Sequence, residues 1–213
     1  MKRLFFTAVA IVCATVATYA STIKYADIAK CRAANGAIYG VRSMADGEHF
    51  TIIKGKQIVR CSYADRADSL VLFEGDFKIA NYTFSADEKQ ILLTDAKSVK
   101  PIYRHSATAD YYLAKVGGKV QKVLEQVRDV EFSTDGKSLV YAKGNNLYLY
   151  DIASAKSKAV TTDGEWNKII NGTADWVYEE EYGFTKAYAF SPDSKKIAYL
   201  RFDESEVPTF EMM

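Results

Sequence analysis

FSTDGKSLVY, residues 132–141, carries the reading of the fold. An Asp followed by Gly suits a tight turn, because Asp caps its own backbone and Gly tolerates positive φ. The run after the turn is a strand by its β-branched and aromatic content. Three other stretches repeat the pattern: SMADGEHFTI at 43–52, FSADEKQILL at 84–93 and FSPDSKKIAY at 190–199. Each sets a turn around an aspartate (Asp46, Asp87, Asp135, Asp193) and then an alternating or apolar run. Further strands are expected at 57–63, 70–73, 110–116 and 146–152, the last holding LYLY and then a turn at Asp151. Strand–turn–strand units at this period predict an all-β chain, a partial β-propeller of about four blades. A β-sandwich is the competing architecture, and the recurring Phe-Ser-x-Asp favours blades.

The intervals between the turns are uneven. Asp46 to Asp87 is 41 residues, Asp87 to Asp135 is 48 and Asp135 to Asp193 is 58. A blade needs only the first of these, and long insertions in compact β architectures often carry function. One extra stretch contains PIYRH, residues 101–105; the other contains TADWVYEEEYGF, residues 173–184.

Bulk properties narrow the function. With 28 basic and 27 acidic residues the chain has no large field of one sign, so nucleic acid is not an expected partner. Lys2 and Arg3, an apolar stretch over 4–17 and a small-residue site at Ala20 read as a signal peptide over 1–20. The mature chain, 21–213, is then exported to the periplasm, the cell surface or the medium; an uncleaved anchor is the alternative. Export permits a disulfide between Cys31 and Cys61, with buried free thiols as the other reading. Without partner histidines the two make a poor zinc site.

Consecutive carboxylates repel one another unless a cation relieves them. On a strand, neighbouring side chains point to opposite faces and adjacent glutamates could not grip one small cation. A short helical segment over 177–182, ended at Gly183, would let Glu179, Glu180 and Glu181 converge. Calcium lacks its DxDxDG-type spacing here, so neither metal nor other cofactor is expected. A free ammonium fits better, with aromatics to exclude water and Arg104 offering a planar fork to a nearby carbonyl. There is no GxSxG elbow. His49 is expected to be exposed, and His105, beside Arg104 and Ser106, has no evident orienting acid for a triad.

DWVYEEE at 175–181, with RHS at 104–106 and EVP at 206–208, resembles the dipeptidyl peptidase IV branch of the prolyl oligopeptidase family. The resemblance is strongest from residue 104 onward. It implies an eight-bladed propeller joined to a C-terminal α/β-hydrolase domain, of which this chain is the N-terminal part without the catalytic Ser, Asp and His. It implies an exported serine peptidase, a homodimer at full length, releasing dipeptides from peptides with a free N-terminus and Pro or Ala second. The family's amine-binding glutamates correspond to Glu180 and Glu181, and its carbonyl-binding arginine to Arg104; Glu179 has no such part. One departure is YGFTKAYAF after Glu181, one residue shorter than the mammalian pattern before Ser191-Pro192. A non-catalytic propeller that binds peptide N-termini is the alternative function. Sequons occur at Asn81 and Asn171.

Overall fold

All four aspartate turns close hairpins. In the computed structural model, which describes residues 39–65 and 67–210, Asp46 turns β1 (Tyr39–Ser43) into β2 (His49–Lys54). Asp87 turns β5 (Ile79–Phe84) into β6 (Gln90–Asp95). In the three Phe-Ser copies the geometry is the same. The serine hydroxyl donates to the aspartate, at 2.7 Å for Ser85–Asp87, 2.7 Å for Ser133–Asp135 and 2.6 Å for Ser191–Asp193. The backbone N–H two residues past each Asp then donates to the same carboxylate oxygen. These bonds hold each carboxyl below its usual range, the serine hydroxyl contributing most.

The residue after each aspartate has positive φ: Gly47 at 73°, Glu88 at 55°, Gly136 at 67° and Ser194 at 58°. Glycine is the natural occupant of that conformation. Glu88 and Ser194 accept it because their side chains bond a neighbouring turn. Ala45 N–H donates to Glu88 Oε1 at 2.8 Å, and Asp135 N–H to Ser194 Oγ at 3.0 Å. Gln90 Nε2 donates to Gly136 O at 2.8 Å, so successive turns are laced into one row.

The first blade is β1, β2, β3 (Gln57–Ser62) and β4 (Ser69–Glu74), hydrogen-bonded in that order. The second is β5, β6, β8 (Ala107–Lys115) and the first half of β9 (Val120–Phe132). The second half of β9 then opens the third blade, followed by β10 (Ser138–Lys143), β11 (Asn146–Asp151) and β12 (Lys156–Ala159). In β9, Leu124 and Val127 face β8, whereas Arg128 and Phe132 pair with β10. Positive φ at Gln126 (48°) and Asp129 (53°) turns the strand between its two partners. A fourth blade begins with the hairpin of β14 (Tyr188–Phe190) and β15 (Ile197–Tyr199), while β16 (Arg201–Asp203) pairs back onto β13 (Ile169–Asn171). The chain is a partial β-propeller, and these blades do not close a ring.

Apolar side chains pack between blades. Ile58 and Phe73 of the first blade meet Ile79, Tyr82, Ile91 and Leu93 of the second. Leu92, Leu124 and Val127 meet Phe132, Leu139 and Tyr150 of the third. Val140, Ala142 and Leu147 meet Tyr188 of the fourth. Fully burying one Leu or Ile contributes about 1.5–3 kcal/mol, so each seam is held chiefly by this burial. Tyr82 adds a polar tie: its hydroxyl donates to Gly40 O at 2.5 Å and meets Thr51 Oγ1 at 2.6 Å.

One expectation changes. His49 is partly buried, its side chain 18% exposed, with Nδ1 bonded to Asp46 Oδ2 at 2.7 Å and Nε2 3.6 Å from Asp68 Oδ2. Asn171 is fully buried and donates to Asp163 at 2.8 Å, which leaves no room for a glycan in the folded protein. Asn81, by contrast, is exposed, with its Oδ1 accepting from Arg42. The expected signal peptide over 1–20 and Cys31 lie outside the described residues, so the Cys31–Cys61 pairing does too.

Candidate functional site

The two insertions meet. The first leaves β7 (Lys100–Pro101), which pairs with β8, and turns tightly as Ile102 N–H donates to Ser106 O at 2.9 Å. The second carries the only α-helix among the described residues, α1 (Trp176–Tyr182). Its limits are set by local chemistry. Asp175 is the N-cap, with Oδ1 accepting from Tyr178 N–H at 2.7 Å. Gly183 is the left-handed C-cap (φ 68°, ψ 26°), and its N–H donates to Glu179 O at 3.2 Å. Tyr178 packs against Tyr182, Phe184 and Phe202, which seats the helix against β16.

The three glutamates have three environments. Glu179 points inward and is fully buried. Its Oε1 accepts the His105 backbone N–H at 2.8 Å, and its Oε2 lies 4.0 Å from Arg128 Nη2. Glu180 is 19% exposed at its side chain, with Oε2 3.7 Å from Arg104 Nη1 and 4.0 Å from His105 Nε2. Glu181 is exposed, and its side chain makes no hydrogen bond or ion pair among the described residues. Arg104 is itself 76% exposed, so its guanidinium keeps donors free.

Beneath the helix lies a network that sequence reasoning missed. Arg128 donates through Nε to Asp129 Oδ2 at 2.6 Å and through Nη2 to Thr185 O at 3.5 Å. Thr185 Oγ1 donates to Asp129 Oδ1 at 2.7 Å. Both Arg128 and Asp129 sit where β9 changes partner, and no glycine or motif marks that turn.

Beside the N-terminal end of α1 is a cleft of about 370 Å³, lined in part by Tyr103, Arg128, Trp166, Asp175, Trp176 and Glu204. Burial pushes the Tyr103 hydroxyl up, with the Glu204 carboxylate adding to it. Burial also raises Glu204, and Asp175 adds a like charge. Val207 and Pro208 of the EVP segment line a shallower depression with Trp176 and Val177. Sequence brought Arg104 and the glutamates into one hypothesis; the fold brings Arg104 to Glu180, and leaves Glu181 on the open side.

A family model, the dipeptidyl peptidase IV N-terminal region, matches residues 85–213. The chain belongs to this family. Dipeptidyl peptidase 4 of Trichophyton equinum is 36% identical over 136 residues, covering 61% of this chain. Dipeptidyl aminopeptidase B of Saccharomyces cerevisiae is 33% identical over 175 residues, covering 77%. The chain spans only 17% and 21% of those relatives' lengths. The crystal structure of Porphyromonas gingivalis dipeptidyl peptidase 4 superposes with a TM-score of 0.73 at 34% identity, over 87% of this chain and 28% of that one. The dipeptidyl peptidase IV-like assignment thus covers all but the first part of the described blades.

Proposed function

We propose that this chain is the substrate-recognising propeller portion of an exported serine dipeptidyl peptidase. In this reading Glu180 and Glu181 hold the substrate's terminal ammonium and Arg104 holds a carbonyl oxygen nearby. A nucleophile in a separate hydrolase domain then lies at a fixed distance from that clamp. Only the second peptide bond reaches it, and Pro or Ala at the second position defines the preferred substrate.

The observation that carries the reading is the approach of Arg104 and Glu180 across two insertions, 3.7 Å apart on a surface open to solvent. A carboxylate and a guanidinium with free donors are complementary to an amine followed by a carbonyl. An incoming ammonium would take Glu180 from Arg104 and release the guanidinium to the carbonyl. The names of the relatives, dipeptidyl peptidase 4 and dipeptidyl aminopeptidase B, agree with that chemistry.

Turnover tests it. The full-length protein is incubated with a peptide beginning X-Pro and with the same peptide acetylated at its amine, and products are read by mass spectrometry. Release of the dipeptide from the free peptide alone is expected. Equal cleavage of both, or no cleavage of either, contradicts the proposal; binding without cleavage would instead identify a peptide-binding propeller.

A further inference from the structure

The buried glutamate is unaccounted for by an amine clamp. Glu179 is completely buried, yet one of its oxygens has no hydrogen-bond partner among the described residues. Burying an ionised carboxylate is costly unless it is paired and hydrogen-bonded. Its full burial, in a helix where Glu180 is partly and Glu181 fully open to solvent, calls for a task. What it does hold is specific: the N–H of His105, 74 residues away in sequence and next to Arg104. That N–H belongs to the tight turn of the first insertion, which its backbone bond from Ile102 to Ser106 closes but does not attach to the helix.

We infer that Glu179 is a positioning residue: its buried carboxylate pins the Arg104 turn to α1, so that Arg104 and Glu180 present a preset pair to the substrate. The inference rests on the proposed clamp. The side chains of Arg104 and His105 reach Glu180 only at 3.7 and 4.0 Å, distances too long to fix a largely exposed arginine. The 2.8 Å bond to Glu179 is short, charge-assisted and shielded from water, which makes it the stronger tie between the two insertions. Arg128 stands on the far side, 4.0 Å from the other oxygen, and balances the buried charge while bonding Asp129 and Thr185. Pre-setting the pair lowers the ordering that binding would otherwise require.

Two substitutions in the full-length enzyme separate this from a role of charge alone. Glu179→Gln keeps an acceptor for His105 but loses the charge. Glu179→Asp keeps the charge beside Arg128 but withdraws the oxygen by about 1.5 Å, one C–C bond, and breaks the bond to His105. For an X-Pro substrate, Glu179→Asp is expected to raise KM about fivefold with a smaller change in kcat, within the cost of losing Arg104 itself. Glu179→Gln should stay within about threefold of wild type. In an Arg104→Ala background Glu179→Asp should cost less than about twofold more, since the residue it positions is gone. The reverse order, with Gln worse than Asp, overturns the inference, as does an Asp effect that is undiminished in the Arg104→Ala background. If thermal stability falls in both variants while KM stays unchanged, Glu179 is a fold residue only, and the inference is lost while the clamp stands. An Arg104→Ala enzyme with wild-type kinetics removes the clamp itself and this inference with it.

Discussion

Glu180→Gln is the substitution whose cost the geometry allows to be worked out. The change is nearly isosteric and removes one negative charge from a side chain that is four-fifths shielded, 19% exposed. In the free protein that charge faces an arginine that is 76% exposed, and such ion pairs are worth about 0–1 kcal/mol, so folding should barely notice. In the proposed clamp, the partner with substrate bound is an ammonium lodged beside α1. A hydrogen bond to a charged group contributes about 1.5–3 kcal/mol. The open flank of the site keeps water near, which places the loss toward the lower end, about 1.5–2 kcal/mol. At about 1.4 kcal/mol per decade, kcat/KM should fall roughly 10- to 30-fold. The assay is steady-state hydrolysis of an X-Pro chromogenic substrate by the full-length enzyme, with thermal melting as the folding control. Arg104→Ala should cost less, about 3- to 10-fold, because the bond lost is to a neutral carbonyl. A fall below threefold for Glu180→Gln, with an unchanged melting point, would refute the reasoning.

Other consequences follow from the fold. A Cβ added to Gly172 (φ 73°) would lie 2.5 Å from both Leu147 methyl carbons, and Leu147 is fully buried, so Gly172→Ala should destabilise the full-length protein by about 2–4 kcal/mol in urea unfolding. Ala155, exposed with φ 54°, should gain about 0.5–1 kcal/mol as Gly by the same measurement, since relief of the left-handed strain outweighs the added chain entropy. The turn carboxyls of Asp87, Asp135 and Asp193 are lowered from 3.8 in the fold, so their contribution is present above that value and lost as pH falls through the lowered ones. Melting temperature should therefore drop below about pH 4, and Asp135→Asn should flatten that drop; an unchanged slope would show that the turn does not favour the ionised form.

How far the sequence reached follows from how local each signal is. A turn aspartate bonds atoms two residues away, so Asp46, Asp87, Asp135 and Asp193 mark their hairpins in the sequence itself. The helix was legible for the same reason, since its N-cap Asp175 and C-cap Gly183 bracket the three glutamates; it begins one residue earlier than expected, at Trp176. Long-range partners leave no such trace. The single strand β9 serves two blades through left-handed residues at Gln126 and Asp129, neither of them the glycine that would advertise a bend. Glu179 looks in sequence like its neighbours, and only the fold brings His105 N–H to it. His49 was read as exposed because its second partner, Asp68, comes from the far end of the first blade's own sheet. Asn171 satisfies a sequon and is sealed inside the seam, which composition cannot report.

The measurement that tests the electrostatic capture most directly is calorimetric titration of the full-length enzyme with a non-hydrolysable dipeptide analogue and its deaminated counterpart. Removing one ammonium from the ligand should weaken binding at least about 30-fold, because it leaves a shielded carboxylate without its cation. That difference should shrink to a few-fold when Glu180→Gln and Glu181→Gln are combined. Equal affinity for the two ligands in the wild-type enzyme would contradict it.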